Sequence, residues 1–295
     1  MRVRGASAAA VIVAMALVAL VGLRPASAAF TIHKVDTAQF TVAPDKPVFI
    51  LVMGNDGRSG ETITRGDALH LIGVNPGQGQ ATIIDIPRDT LVGIPEEGSR
   101  RDKINAFHAT GGAALQAKAV GALVGVDVPF VVDTDFQGFT GLVDDLGGID
   151  VDVPEAMNDS FSGAIFEPGV KHMDGVDALA FARNRHIGRG DFTRTENQGR
   201  LLIAGLTKLR NEHADAKSVL ANIAVLARHS RLDGLSLTDA YRLGRLAVSI
   251  DPANVRNVVM PGSTADVGGA SVVVPDPSAT SLFEDFRDDG ILQAH

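Results

Sequence analysis

The stretch from Phe181 to Gln198, FARNRHIGRGDFTRTENQ, holds four arginines (Arg183, Arg185, Arg189 and Arg194) in a chain whose formal net charge is −8. Arginine rather than lysine is informative, because its planar guanidinium meets carboxylate or phosphate through two parallel hydrogen bonds. The cluster points to an anionic ligand, phosphate foremost, with a solvated arginine-rich helix end as the plain alternative. A second group of charges lies far earlier: Asp56 and Arg58 in MGNDGR, Arg65 and Asp67 in RGDALHLIG, Arg88 and Asp89 in IPRD. Two carboxylates beside arginines make a hard-oxygen site suited to Mg²⁺, which needs only one or two carboxylates when waters and phosphates supply the rest. A surface cluster of exposed ion pairs, each contributing about 0–1 kcal/mol, is the competing explanation. A metal on one phosphate and an arginine fork on the next would fit a pyrophosphate.

Three strands must position the earlier group. VFILVMG reads as a fully buried strand, ALHLIGVN as a second and ATIIDI as a third. Their short connections favour antiparallel neighbours, so the end of the first, the start of the second and the end of the third share one sheet edge. That edge gathers the six charges from Asp56 to Asp89. The later group needs a helix that stops: Asp174 caps GVDALAFARNR, and Gly188 and Gly190 end it, so that Arg183 and Arg185 can align. A longer helix follows from Thr195 to Arg210, and a helix N-terminus itself favours an anion.

Between these groups the sequence gives a helix broken near Gly111–Gly112, a strand VPFVVDTDF, a short helix QGFTGLVDDLGG and a half-buried strand IDVDVP. A Gly- and Pro-rich loop follows to about Val170. Beyond the core come helical patterns around Ala214–His229 and Thr238–Ile250, a strand VRNVVMP and a helix near Ala279–Asp289. Strands and helices intermix, which favours one α/β domain: an α-β-α arrangement around a central mixed sheet.

Composition narrows the chemistry. The chain has 295 residues, 45% hydrophobic and 21% charged, and no cysteine, so thiolate metal sites, disulfides and cysteine nucleophiles are absent. Net acidity and the lack of a DNA-binding motif argue against nucleic acid as a partner. There is no G-x-S-x-G elbow, no phosphate-binding G-x-x-x-x-G-K-[ST] loop and no H-E-x-x-H helix. The scattered histidines read as surface or satisfied core residues.

Residues 1–28 have the form of an export signal: Arg2 and Arg4, an apolar run from Ala8 to Leu23, then Ala26 and Ala28 at small-residue positions. Cleavage and retention as a membrane anchor both remain open, and either places the body outside the cytoplasm. The expected organisation is a linker over 29–46, a catalytic core over 47–211 and a C-terminal helical extension over 212–295 packed on the same domain.

The ordered set MGNDGR, RGDALHLIGVNP, IPRDTLVGIP, KINAFHATGG, FQGFTGLVDDLGGIDVDVP, GVDALAFARNRH and DFTRTENQ resembles the LytR-CpsA-Psr family of bacterial cell-envelope proteins, covering most of Val48 to Lys208. The resemblance implies a phosphotransferase. It would move a glycopolymer from a polyprenyl-pyrophosphate carrier to peptidoglycan through a phosphodiester, with the membrane lipid surface as a further partner. It implies Mg²⁺ (or Mn²⁺) on Asp56 and Asp67, and a pyrophosphate held by Arg65, Arg88, Arg183 and Arg185. Asp191, Arg194 and Gln198 would lie in or beside the site, with Arg58 at a motif position. Either Asp89 or Asp191 would take the acceptor's proton. A binding protein or pyrophosphatase without ligase activity, or an envelope regulator, is the alternative. Two departures stand out: the family's Arg-Ser-Asp-Thr appears as Arg65, Gly66, Asp67 and Ala68, and its Arg-Gln-Gln as Asn197, Gln198 and Gly199.

Overall fold

The computed structural model describes residues 30–57, 64–94, 98, 101–211 and 230–293. Strands β1 (Phe30–Lys34), β2 (Val48–Asn55), β3 (Gly66–Asn75) and β4 (Gln80–Asp85) open the fold. The short pair β5 (Leu91–Gly93) and β6 (Arg101–Lys103) follows, then α1 (Ala106–Val124), β7 (Phe130–Thr134), α2 (Phe136–Asp145) and β8 (Ile149–Val153). Next come the hairpin β9 (Met157–Asp159) and β10 (Ala164–Phe166), β11 (Gly169–Met173), α3 (Gly175–Arg183) and α4 (Asp191–Asn211). The remainder is β12 (Ser230–Asp233), α5 (Leu237–Ser249), β13 (Val255–Val259), β14 (Gly262–Val267), β15 (Ala270–Pro275) and α6 (Pro277–Asp289).

A seven-stranded sheet of order β12-β1-β7-β2-β3-β4-β13 forms the middle layer. β2, β3 and β4 are consecutive antiparallel neighbours, as their tight connections require, while β7 lies parallel to β2 and β13 parallel to β4. The α-β-α architecture with a mixed sheet is therefore as the sequence implies. One face of the sheet presents Leu51, Leu69, Leu71 and Ile84 to α1 and α6, forming a dense core with Phe107, Val120, Phe283 and Phe286. α1 departs from helical geometry at Gly111 and Gly112, where a break was expected. The opposite face is covered by α2, α4 and α5 but is not filled. A second core joins β8 and β9 to α3 and α4, and a third, around Phe40, Val74, Phe130, Leu246 and Ile250, closes the far end of that face.

Four expectations need correction. Residues 29–46 are not simply a linker, because β1 pairs with β7 and β12 inside the sheet. The region 212–295 is not only a helical extension, because β12 and β13 form both sheet edges and α6 completes the main core. The loop before Val170 contains β9 and β10, whose three-residue length is too short for alternation to register. α4 starts at Asp191, four residues before Thr195, with that aspartate in the first turn where the helix dipole favours a negative charge. The helical reading of Ala214–His229 and the export signal lie outside the described residues. Among those described, no helix is long and apolar enough to cross a membrane.

Candidate active site at the polar end of a lipid-sized cavity

The unfilled face of the sheet encloses a cavity of about 960 Å³. Period-two alternation explains it: Leu51 and Leu71 point to the dense core, while Ile50, Val52, His70, Ile72 and Ile83 point the other way into the space. Leu142, Leu202, Leu206 and Leu243 form the opposite wall. From Ala68 to Val74 the cavity follows β3 over six residue steps, about 20 Å of extended strand. Its far end is aliphatic. Its near end is polar, lined by Asp56, Asp67, Arg183, Arg185, His186, Arg194 and Gln198. Long, narrow and apolar with one charged end, it has the shape of a site for an amphiphile.

Strand ends and one loop build the polar end. Asp56 Oδ1 accepts from the Arg65 backbone N–H at 2.7 Å, holding together the two ends of the β2–β3 connection. Arg88 Nη1 donates to Asp67 Oδ2 at 2.8 Å. The Asn105 backbone ties the site from below, donating its N–H to the Arg88 carbonyl and accepting from the Gly66 N–H. On the other side, Gly188 and Gly190 take φ of +50° and +63°, turning the chain sharply between α3 and α4. That turn aims Arg185 back at Asp191, with its Nε 3.4 Å from Oδ1. Arg194, almost fully buried, meets the same carboxylate at 2.9 Å. Arg183 packs over the Phe136 ring at 5.3 Å, a cation–π contact that steers the guanidinium without using its donors.

The two charge groups meet here. Burial works against the Arg88 cation, but the carboxylates of Asp67, Asp191 and Asp89 outweigh it and raise its pKa. For Arg194, burial dominates and lowers the pKa; Asp191 opposes this, while Arg185 and Arg88 add to it. Three arginines thus crowd two carboxylates, an arrangement a polyanion would relieve. Arg88 Nε and Gln198 Oε1 are buried without a hydrogen-bond partner among the described residues.

Not every candidate joins the cluster. Arg58 lies outside the described residues. Arg65 is exposed, and its side chain makes no ion pair among the described residues. Asp89 turns away to Lys103 at 3.0 Å, its backbone joining β15 through Val273. Arg189 faces solvent against Glu196 at 3.8 Å and the ring of Phe192. As for a metal, no group of three or more potential ligands occurs among the described residues. Asp56 and Asp67 nevertheless line the same polar end. A hard divalent ion that takes one or two carboxylates plus phosphate oxygens fits that donor set.

Several supporting residues carried no sequence signal strong enough to find them. All five histidines among the described residues pair with an aspartate. His70 and Asp85 form a buried pair at 2.6 Å in the cavity wall, where burial pushes the Asp85 carboxyl up to about 6 against the pull of His70. His108 Nε2 lies 3.3 Å from Asp133, whose other oxygen accepts from Asn55 at 2.6 Å. Burial disfavours the His108 imidazolium, yet Asp133, the Thr64 carbonyl and Asp56 together raise its pKa. The glycine in each departure from the expected motifs sits where a side chain would collide. A Cβ at Gly66 would come 2.7 Å from the Met53 sulfur, and one at Gly199 would come 2.3 Å from Asn257 Oδ1.

Comparison with known proteins fits this geometry. The chain is 28% identical over 249 residues to TagV of Bacillus subtilis (strain 168), spanning 80% of this chain and 62% of that protein. It is 35% identical over 175 residues to TagU of Bacillus mycoides (strain KBAB4), spanning 59% and 56%. Both relatives are named polyisoprenyl-teichoic acid–peptidoglycan teichoic acid transferases. The chain spans less than two thirds of their length. The crystal structure of B. subtilis TagV superposes with a TM-score of 0.71 at 25% identity, covering 85% of this chain and 99% of that one. TagT with bound octaprenyl pyrophosphate lipid superposes at 0.63 and 25% identity, covering 87% and 95%. The family model LytR_cpsA_psr matches residues 24–286, and the chain belongs to that family.

Proposed function

We propose that this protein is an extracytoplasmic phosphotransferase, moving a glycan-1-phosphate from a polyprenyl-pyrophosphate carrier onto a peptidoglycan hydroxyl. The observation that carries the proposal is the continuity of an arginine-rich polar end with a long aliphatic cavity. A pyrophosphate joined to an isoprenoid chain has this same division of charge and oil. The names of the transferase relatives and the octaprenyl pyrophosphate bound to TagT support the same ligand class.

In this reading, Arg88, Arg183, Arg185 and Arg194 bind and orient the pyrophosphate, with Arg65 as a further donor and Arg58 at its motif position. Asp56 and Asp67 would hold Mg²⁺ (or Mn²⁺), which when bound supplies neutralisation of phosphate charge. The acceptor oxygen attacks the phosphorus that bears the sugar, the bond to the distal phosphate breaks, and polyprenyl phosphate leaves. Little covalent chemistry is asked of the protein, since positioning and charge stabilisation dominate phosphoryl transfer. Of the two candidate bases, Asp191 shares the cluster while Asp89 is engaged by Lys103, so Asp191 is assigned the acceptor's proton.

The test incubates the full chain with lipid-linked glycan, peptidoglycan and Mg²⁺. A new phosphodiester-linked muropeptide that disappears on adding chelator is the expected result. Free glycan phosphate alone would mean hydrolysis, and lipid binding without turnover would mean a carrier protein; either outcome overturns the ligase assignment.

A further inference from the structure

The hairpin β9–β10 stands at the polar end of the cavity, where Asp159, Phe161 and Ser162 contribute to the lining. Met157 and Phe166 turn into the second core, but two other large apolar side chains of the hairpin face outward: Phe161 is 86% exposed and Ile165 70% exposed. Their exposure is built in. Asp159, itself buried, accepts from the Phe161 N–H at 2.9 Å and the Ser162 hydroxyl at 2.8 Å, and pairs with His186 at 3.0 Å. These contacts pin the Asp159 carboxyl well below its ordinary range, to about 2, with the His186 hydrogen bond as the largest cause. The Phe161 ring rests against the His186 imidazole with centroids 5.6 Å apart. A rigid turn thus holds an aromatic ring out in solvent, beside the loop that carries Arg185 and Arg189.

A second observation sets the direction in which this turn faces. β1 is antiparallel to β7 with Phe30 opposite Thr134; Thr134 neighbours Gly54, and Gly54 neighbours Ala68. The first described residue therefore enters the fold at the same sheet edge as the polar end of the cavity, which Phe30, Thr134, Gly54 and Ala68 all line. The apolar run Ala8–Leu23 precedes it by seven peptide steps, about 25 Å if fully extended. A membrane that holds that run lies within reach of this edge.

We propose that the β9–β10 hairpin, through Phe161 and Ile165, docks the polar end of the cavity onto the lipid bilayer. This rests on reading the cavity as a site for an isoprenoid chain, since docking there lets the chain pass from bilayer to cavity without crossing water. Aromatic and aliphatic tips settle at the headgroup–acyl boundary. Arg185 and Arg189, both substantially exposed, face the negative surface of anionic headgroups. The occupant is bilayer lipid, not a second copy of the chain and not the glycan acceptor.

The absence of tryptophan in this sequence makes the test direct. Phe161→Trp and Ile165→Trp each introduce a single tryptophan at the hairpin. Gln78→Trp introduces one in the exposed β3–β4 turn at the opposite sheet edge. Each full-length variant is reconstituted with phosphatidylcholine–phosphatidylglycerol vesicles that contain no isoprenoid lipid, with and without acyl-brominated phosphatidylcholine. Emission at positions 161 and 165 is expected to shift to the blue and to be quenched by the brominated lipid, with position 78 unaffected. No quenching at 161 and 165, or equal quenching at all three positions, overturns the docking face. Because no substrate is present, this result is independent of turnover. Transfer activity without hairpin quenching would sink the docking and leave the phosphotransferase reading intact, and quenching without transfer would do the reverse.

Discussion

On one face of the central sheet, Leu51, Leu69, Leu71 and Ile84 are fully buried against α1 and α6, whereas on the other face Ile50, Val52, Ile72 and Ile83 border an open cavity. The same strands, β2 to β4, supply both sets by alternation, with side chains of the same chemistry. What differs is the cover. α1 and α6 bring Phe107, Val120, Phe283 and Phe286 down into the sheet. α4 instead spans the opposite face on Leu201, Leu202 and Leu206 and leaves room beneath. Hydrophobic side chains facing a void forfeit dispersion contacts. The molecule thus concentrates packing on one side of its sheet and leaves the other open, as the proposed isoprenoid ligand requires.

Replacing one residue on each face tests this division. Leu71→Ala, on the dense face, should cost about 2–5 kcal/mol, read as a large drop in denaturation midpoint. Ile72→Ala, its neighbour in sequence, should cost less than about 1.5 kcal/mol, because its methyl groups already border open space. Equal losses would break the comparison. Arg88→Ala should leave the dense face intact and lower transfer activity by about tenfold to a hundredfold, through loss of one charge-assisted contact. A fully active Arg88→Ala variant would remove the polar end from the proposed mechanism.

Where α4 crosses β13, the fit is close and a smaller effect follows. Gly199→Ala should destabilise by about 1–3 kcal/mol through collision with Asn257. Adding Asn257→Ala should recover part of that loss in a double-mutant cycle, and strict additivity would show that the two residues do not compete for space. The smallest effect concerns His108. Its pKa is raised on folding, so its contribution is complete below its unfolded value near 6.5 and disappears as pH rises through the folded value. His108→Asn should flatten the fall in urea midpoint with rising pH across that window. A midpoint that climbs with pH in the parent but not in the variant would reverse the assignment.

These contrasts also explain what could be read from sequence. β2, β3 and β4 were legible because each is a long apolar segment closed by turn residues, and their antiparallel order follows from short loops. The arginine loop was legible from Gly188 and Gly190, which the structure uses to turn the chain. The cavity was not legible: Ile50 and Ile72 have the same composition signal as Leu51 and Leu71, and only helix placement decides which face fills. Distant pairings were lost for a similar reason. β1 and β13 join the sheet through partners scores of residues away, and no local pattern announces them. Asp89 and Asp191 looked alike as candidate bases because nothing in the sequence reports that Lys103 folds back onto one of them.

The contacts of residues 286–292 bear on how the chain comes to fold at all. Leu292 donates its N–H to the Thr82 hydroxyl across 210 positions of sequence, and Phe286 packs on Phe49 with ring centroids 5.4 Å apart. The early strands are thus sealed by a segment some 210 positions later in the chain. A ribosome or pore that delivers the chain N-terminus first must pass it as far as Leu292 before the dense core can close. Contacts of such separation are slow to form, so for a chain delivered N-terminus first the closing of the dense core is a late event.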